Sequence, residues 1–380
     1  MDPITAVTHA DPYPYYASLR ARSGLAFDPK LGMWLASSAA AVAAVLAHPA
    51  CRVRPAHEPV PRGIADGAAG TVFGQLMRMN DGERQRCPRA AVEPGLQLVH
   101  AGEIQQRVAA LLLGLPRDTA ARLHDCQFRL PVAVVAGLLG FAAHQLPEIA
   151  GLTRDFVACL SPASNQAQRE AAHRAAEALS RHFEVLLDQA PVSPLLQRIV
   201  NGFGRQEHDS LIANLIGLLS QTFEASAGLI GNSLCALLND RQLLADLRAT
   251  PNRIADLLAE VQRHDPPVQN TRRFVAAPCR IAGVTLEPGA VVLVLLASAN
   301  RDPQLNPEPD RLLLEREDRR SFSFGSGRHQ CPGQALALSI ASAVVGALLR
   351  QSTLDQPIAW TYKPSLNGRI PLFTPLPESH

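Results

Sequence analysis

The residue best suited to chemistry in this sequence is Cys331, in the stretch FSFGSGRHQCPGQA from Phe322 to Ala335. Gly325, Gly327 and Gly333 would let the backbone lie close to a flat ligand and turn back sharply. A single thiolate with no CxxC partner argues against structural zinc or an iron–sulfur cluster, which need several protein ligands. It suits haem iron, because the porphyrin supplies the equatorial ligands. The stretch therefore favours a haem-thiolate site.

The apolar run from Ala335 to Leu349 predicts a helix that begins directly after this loop. The positive end of the helix dipole and nearby backbone N–H groups would then lower the pKa of the Cys331 thiol and favour the thiolate. We expect Arg328 and His329 to donate to an anion on the rim of the ligand.

The segment Phe324–Gly333, FGSGRHQCPG, resembles the haem-binding signature FGxGxHxCxG of the cytochrome P450 monooxygenases. The resemblance implies that Cys331 binds the iron of haem b from the proximal side. The other residues that match the signature would then belong to the cofactor site: Phe324, Gly325, His329 and Gly333. A thiolate ligand donates electron density that favours cleavage of the O–O bond.

The chain has 380 residues, a net charge of +2 and an apolar fraction of 47%. No linker, repeat or charge block interrupts it, so we expect one domain over residues 1–380. The resemblance implies a mainly α, triangular fold with small β-sheets. Seven scattered cysteines, an odd number, indicate a reducing compartment rather than a disulfide framework. The near-neutral charge gives no indication of nucleic-acid binding.

The start of the chain, MDPITAVTHADPYPYY, lacks the basic segment and apolar core of a signal peptide. The longest apolar segment, Asn214–Leu238, could span a membrane by length, but polar side chains interrupt it. We therefore expect no membrane association. The chain resembles the bacterial members that lack an anchor, which implies a cytoplasmic enzyme supplied with electrons by a ferredoxin and its reductase or a similar donor.

Asn214–Leu238 resembles the helix that crosses the distal face of the haem, whose usual pattern is AGx(D/E)T(T/S). Here the segment reads QTFEAS: Glu224 keeps the acid, Ala225 replaces the threonine, and Ser226 keeps the second hydroxyl position. Because helix residues are about 100° apart, Ser226 does not point where residue 225 points. The two residues at the Ala-Gly positions, Gln221 and Thr222, are assigned to the substrate pocket.

Loss of the threonine matters because oxygen activation needs protons, and a positioned acid is typically worth about two to four orders of magnitude. Three routes remain open. A substrate group could hold the water, Ser226 or Thr222 could do so from a bulged helix, or the enzyme could use peroxide. A haem-thiolate isomerase and a ligand-binding protein without turnover are also consistent with this stretch. Thr222 could instead bond the carbonyl four residues earlier.

The segment Leu76–Arg89 resembles the family stretch MDPPEHTRLRR, whose His and later Arg commonly hold a haem propionate. Arg84 stands at the His position and Pro88 at the Arg position. Arg84 can still donate to a carboxylate, whereas Pro88 cannot. Arg86 or Arg89 could replace it.

The segment Ile254–Arg263 is amphipathic and contains Glu260-x-x-Arg263, followed by HDPPVQNTRR. In this context Glu260 and Arg263 resemble the family's buried ion pair, which Arg311 of the sequence PDR would complete. Two further assignments follow from the same resemblance. Arg273 would pair with a haem propionate, and the substrate pocket would include Val268, Gln269 and Asn270.

Elsewhere the pattern predicts helices over Ala39–Leu46, Ile104–Leu115, Leu130–Phe141 and Gln168–Gln189, and a long loop over Cys51–Gly74. It also predicts a hairpin over Cys279–Ala297 turning at Glu287-Pro-Gly289, and a last hairpin over Leu354–Pro377 whose tip enters the pocket. No charged cluster marks the pocket in the sequence, and aromatic residues are few at 5%. The expected substrate is a small polar molecule of the natural-product type, as in secondary metabolism.

Overall fold

The computed structural model describes residues 1–189, 193–204 and 207–375. Fourteen α-helices, the main component of the fold, lie within these residues. In chain order they are α1 Tyr13–Arg22, α2 Ala39–Ala47, α3 Ala68–Gln75, α4 Glu83–Leu96, α5 Ala101–Leu112, α6 Thr119–Leu139, α7 Leu146–Ala158, α8 Gln166–Asp188, α9 Pro194–Gly202, α10 His208–Asn239, α11 Arg241–Ala249, α12 Ile254–His264, α13 Leu296–Asn300 and α14 Gln334–Leu349.

The strands form three small sheets. They are β1 Leu25–Asp28, β2 Met33–Ala36, β3 Cys51–Arg52, β4 Thr271–Val275, β5 Cys279–Ile281, β6 Val284–Leu286, β7 Val291–Val294, β8 Ile358–Tyr362 and β9 Pro371–Pro375. One sheet has the order β1-β2-β7-β4-β3, and the other two are the antiparallel pairs β5-β6 and β8-β9. The β2-β7 pair is parallel, whereas the neighbouring pairs are antiparallel. A mainly α architecture with small sheets is therefore confirmed.

The long helix α10 runs through the main hydrophobic core. It packs against α3, α6, α7, α12 and α14, and most of its side chains are buried. Such a helix is apolar on every side because neighbours surround it. Its polar residues are therefore exceptions that need a partner or a function.

A second core lies under the five-stranded sheet and packs against α2. Strand β4 runs between β7 and β3 and carries Arg273 opposite Val292 of β7. The connection between β8 and β9 is fixed to the segment before β4, because Gln269 N–H donates to Asn367 O (2.8 Å) and Asn270 Nδ2 to Leu366 O (3.0 Å). The sheets therefore place two loops beside α10.

Most of the helices predicted from the sequence are confirmed within a few residues, although Leu130–Phe141 is only the second half of α6. The loop predicted over Cys51–Gly74 is wrong at both ends, because Cys51–Arg52 is strand β3 and α3 begins at Ala68. Two glycines in this short helix weaken its helical pattern. At Gly70 the structure requires glycine, since a Cβ would lie 2.1 Å from the Ile64 carbonyl oxygen.

The hairpin predicted to turn at Glu287-Pro-Gly289 is also placed wrongly. The observed turn is Ala282-Gly283, with φ of 48° and 81°, between β5 and β6. Two successive positive φ angles are typical of a type I′ turn, which normally carries Asn-Gly or Asp-Gly, so the alanine concealed it. The last hairpin is confirmed as β8-β9 up to residue 375, and residues 376 and 377 of that prediction lie outside the described residues.

Across the described part of the chain, each helix is too short or too polar to cross a lipid bilayer. The central helix α10 has the necessary length but carries too many polar side chains along its course.

Candidate active site

The loop that carries Cys331 is held in a compact turn by its own backbone. Gly325 and Gly327 have φ of 71° and 66°, a region that side chains rarely allow. The Cys331 N–H donates to the Phe324 carbonyl oxygen at 2.8 Å, and Gly333 precedes the first turn of α14. The sulfur is thus presented from a rigid loop at a helix start.

Helix α4 holds this loop from one side. Gln85, which is buried, donates from Nε2 to the Arg328 carbonyl oxygen at 2.8 Å. Arg89 donates from Nη1 to the Gln330 carbonyl oxygen at 2.5 Å and pairs with Glu93. The sequence did not indicate the role of Gln85, because no local pattern links it to a loop more than two hundred residues later.

The two basic residues before Cys331 have different partners from those expected. Arg328 donates from Nη2 to the carbonyl oxygens of His48 (3.0 Å) and Cys51 (2.9 Å), and its Nε has no hydrogen-bond partner among the described residues. Its role in binding an anion stays a prediction. His329 Nε2 lies 3.0 Å from Asp81 Oδ1. Burial acts to raise the pKa of Asp81, but bonds from His329 and the Val53 N–H hold that pKa below its usual value.

The expected low pKa of the Cys331 thiol is not found in the protein alone. Burial raises the pKa, although the Gly333 N–H, Arg89 and Arg78 act in the opposite direction. Desolvation of a thiolate therefore exceeds the favourable fields around it. A bound metal ion would supply the missing charge, since a coordinating thiol loses its proton.

Cys331 lies on the wall of a cavity of about 1620 Å³. The predicted site residues that line this cavity are Phe324, Gly325, His329, Cys331 and Gly333 from the loop, Gln221, Thr222, Glu224, Ala225 and Ser226 from α10, and Val268, Asn270 and Arg273 near β4. Among the residues predicted for the substrate pocket, Gln269 is the exception. It is fully buried behind the wall, where its Nε2 donates to the Pro266 carbonyl oxygen at 2.8 Å.

Helix α10 is helical at every residue from His208 to Asn239, so the bulged form that would redirect Ser226 or Thr222 is not observed. Thr222 donates from Oγ1 to the Leu218 carbonyl oxygen at 2.8 Å. Gln221 is part of the cavity wall, and its buried Nε2 has no hydrogen-bond partner among the described residues. The Gln-Thr pair is therefore accommodated without breaking the helix.

Glu224 has a partner that the sequence did not reveal. Lys363, which follows β8, lies with Nζ 2.5 Å from Glu224 Oε1, and both side chains line the cavity. Together with Arg78, which also lines it, they form a charged group at the pocket. The expectation that no charged cluster marks the pocket is therefore wrong. The sequence did not reveal this cluster because Arg78, Glu224 and Lys363 are far apart in the chain.

Comparisons with known proteins agree with this geometry. The sequence profile of the family described as "Cytochrome P450" matches residues 254–368. A protein of Pseudonocardia autotrophica named vitamin D(3) 25-hydroxylase is 30% identical over 354 residues, which cover 89% of this chain and 85% of the relative.

The chain belongs to the cytochrome P450 family. A second similar protein is cytochrome P450 107B1 of Saccharopolyspora erythraea, 30% identical over 66% of this chain and 64% of the relative. Since the relatives are named as hydroxylases and cytochromes P450, this P450 is a monooxygenase.

Solved structures agree on the fold. CalO2 superposes with a TM-score of 0.83 at 24% identity, covering 98% of this chain and 97% of that chain. The P450 CYP109Q5 from Chondromyces apiculatus superposes with a TM-score of 0.79 at 26% identity, covering 97% and 95%.

The cavity of this P450 has the properties that a haem requires. Its volume exceeds the roughly 300–1,000 Å³ of an ordinary ligand pocket, which leaves room for a cofactor beside a substrate. It offers the Cys331 sulfur from a loop that contains Gly325, Gly327 and Gly333. Three buried guanidinium nitrogens have no hydrogen-bond partner among the described residues, and two of them, Nε of Arg272 and Nε of Arg273, belong to residues that line the cavity. Carboxylates such as the haem propionates would satisfy them.

Replacing Arg273 by alanine should reduce retention of haem before it destabilises the fold. Arg273 is 6% exposed, and a charge-assisted bond to a carboxylate is worth about 1.5–3 kcal/mol. Transfer of haem to excess apomyoglobin measures this retention, with Arg84→Ala as the matched control. Equal transfer rates for Arg273→Ala and the unmodified protein would remove Arg273 from the cofactor site.

Arg84 itself does not reach the cavity. It is exposed on α4 and donates from Nη2 to the Gly74 carbonyl oxygen at 3.1 Å. The prediction that it holds a propionate is therefore wrong. Pro88 lies inside α4, as expected from its position, and Arg89 supports the cysteine loop through a carbonyl oxygen.

The ion pair of Glu260 and Arg263 is fully buried, with Arg263 Nη2 2.7 Å from Glu260 Oε1. The prediction that Arg311 completes it is wrong, because the Arg311 side chain is exposed and pairs with Glu308 at 2.7 Å. Its backbone carbonyl alone joins the network, accepting from Arg263 Nη2 at 3.0 Å. The arginines that complete the cluster are Arg316 and Arg319, whose Nε atoms lie 3.1 and 2.9 Å from the Glu260 carboxylate.

Proposed function

We propose that this P450 binds haem b through the Cys331 thiolate and oxidises a small polar organic molecule of the natural-product type. The observation that supports this most is that Cys331 and the acid Glu224 line one large cavity. The bound haem would supply the activation of dioxygen and the transfer of one oxygen atom. Two electrons would come from a ferredoxin and its reductase or a similar donor, in the cytoplasm, and residues 1–380 would act as one domain.

The residues around Cys331 would bind and orient the cofactor. Phe324, Gly325 and Gly333 would line the cofactor site, where the two glycines have no side chain to obstruct approach to the sulfur. Arg273 would pair with one propionate. His329 would hold the second while its interaction with Asp81 fixes the ring. A histidine ring keeps its orientation toward a ligand when a hydrogen bond holds its other ring nitrogen.

On the side of α10, Ala225 provides no hydroxyl where the family usually has threonine. We infer that a polar group of the substrate orders the water there. A buried water generally makes about two to four hydrogen bonds. Glu224, oriented by Lys363, would supply a protein acceptor, and Ser226 could provide a further bond from the same helix.

A product-labelling experiment tests this function against the competing ones. The purified protein, a surrogate ferredoxin and reductase, and NAD(P)H are supplied with ¹⁸O₂ and a substrate found by screening for shifts of the haem absorption. We expect one ¹⁸O atom in the product and a requirement for the reductase. Product from hydrogen peroxide alone, or an isomer without added oxygen, would instead indicate the peroxide-driven or isomerising enzyme. Binding without any product would indicate a ligand-binding protein.

A further inference from the structure

Arg78 is a cation of the cavity that the proposed function does not use. It lies in the 3-10 turn Met77–Met79 before α4, and its side chain lines the cavity. Among the residues that the structure describes, no hydrogen bond or ion pair satisfies its guanidinium. Arg78 is an exposed residue, and its position on the cavity wall opens part of that surface to the cavity. Burial among the surrounding protein atoms lowers the pKa of its guanidinium to about 10. Arg78 is therefore still a cation at neutral pH.

The protein offers Arg78 no free anion in this cavity, as far as the described residues extend. The opposite charges that act on it are Cys331 and Glu224. The Glu224 carboxylate already accepts from Lys363, and Cys331 is assigned to the iron. The cavity thus contains a guanidinium without a protein anion to pair with, as far as the described residues extend.

An unpaired guanidinium is tolerable while water fills the cavity. It becomes costly once a cofactor and a substrate expel that water, because a buried charge needs a partner. The haem propionates already have candidate partners elsewhere, in Arg273 and in the unpaired Nε of Arg272. Arg78 therefore requires an anion from another source.

We propose that Arg78 binds a carboxylate inside this cavity and that the substrate supplies it. The planar guanidinium donates two parallel bonds to a carboxylate, a geometry that an ester or amide cannot match. This inference rests on the proposed function and narrows it: the polar substrate is an organic acid.

Binding of matched acids and esters tests the inference. Isothermal titration of the haem-containing protein at pH 7.5 compares dodecanoate, cinnamate and indole-3-acetate with their methyl esters. We expect at least one acid to bind about 10-fold more tightly than its ester, as charge-assisted bonds imply. Arg78→Gln should abolish that ratio while leaving affinity for the ester unchanged. The control Arg84→Gln, outside the cavity, should keep the ratio.

Two results would overturn the inference. One is that no acid is preferred by the unmodified protein, or that Arg78→Gln keeps the preference. The other is that Arg78→Gln loses haem to apomyoglobin while the acid preference survives, which would assign the carboxylate to a haem propionate. Spectra of the reduced carbon monoxide complex, recorded on the same samples, test the haem-thiolate function separately. The spectrum reports the ligand of the iron, whereas the titration reports the affinity for acid and ester.

Discussion

Replacing Glu260 by glutamine should lower the free energy of unfolding by about 3–5 kcal/mol, as typically happens when one member of a buried ion pair is removed. The carboxylate of Glu260 is fully buried and accepts from Arg263, Arg316 and Arg319 as well as from the Leu313 N–H at 3.1 Å. Glutamine keeps the volume but removes the charge. Three guanidinium groups would then face one another without a counter-ion.

The effect should depend on pH in a defined direction. Burial acts to raise the pKa of Glu260, but bonds from Arg263, Leu313 and Arg319 lower it to about 2 from an ordinary 4.5. A carboxyl whose folded pKa is depressed adds stability above its unfolded pKa and loses it as the pH falls through the folded value. The free energy of unfolding of the unmodified protein should therefore exceed that of Glu260→Gln by the full amount at pH 7. This difference should shrink as the pH falls below about 4.5.

Urea unfolding followed by far-UV circular dichroism measures this difference. Arg311→Ala is the matched control, because its exposed pair with Glu308 should be worth no more than about 1 kcal/mol. If Arg311→Ala destabilised the protein as much as Glu260→Gln, the buried cluster would be assigned to the wrong arginine.

The second large effect concerns the use of electrons. Substrate mimics that lack the polar group should bind, yet most of their NAD(P)H should end as hydrogen peroxide, whereas the true substrate should give product. The reason is that Ala225 provides no hydroxyl, and correct placement of a proton donor is worth about two to four orders of magnitude. Ala225→Thr should raise the yield with the mimics and change little with the substrate.

The measurement is product formed per NAD(P)H consumed with a surrogate reductase. Lys363→Met provides a second comparison, because it removes the cation 2.5 Å from Glu224 while keeping an unbranched side chain. We expect it to lower the yield with the true substrate. Equal yields for mimics and substrate in the unmodified protein would mean that protein side chains alone deliver the protons.

The cysteine loop could be predicted from the sequence because its chemistry is local. Gly325, Gly327 and Cys331 lie within seven positions, and the turn that they form depends on their own backbone angles. The same holds for Glu260 and Arg263, which are three residues apart on one helix. Spacing along the chain was sufficient to place these groups beside each other.

The partners contributed by distant segments could not be predicted. Arg316 and Arg319 reach Glu260 from a segment without helix or strand, which has no periodicity to indicate which side chains turn inward. Lys363 meets Glu224 across 139 positions, because the β8-β9 connection is fixed beside α10. The PDR motif indicated Arg311 in place of Arg316, but membership of a motif is not evidence of burial.

The reduced carbon monoxide difference spectrum tests the central claim, that Cys331 provides a thiolate ligand to haem, most directly. The unmodified protein should show the long-wavelength Soret band that we expect when a thiolate donates electron density to the iron, well separated from the band of haem bound by histidine or oxygen. Cys87→Ser, a change at an exposed cysteine, should give the same spectrum. Cys331→Ser should lose the band. A band that survives in Cys331→Ser, or is absent from the haem-loaded unmodified protein, would contradict the account.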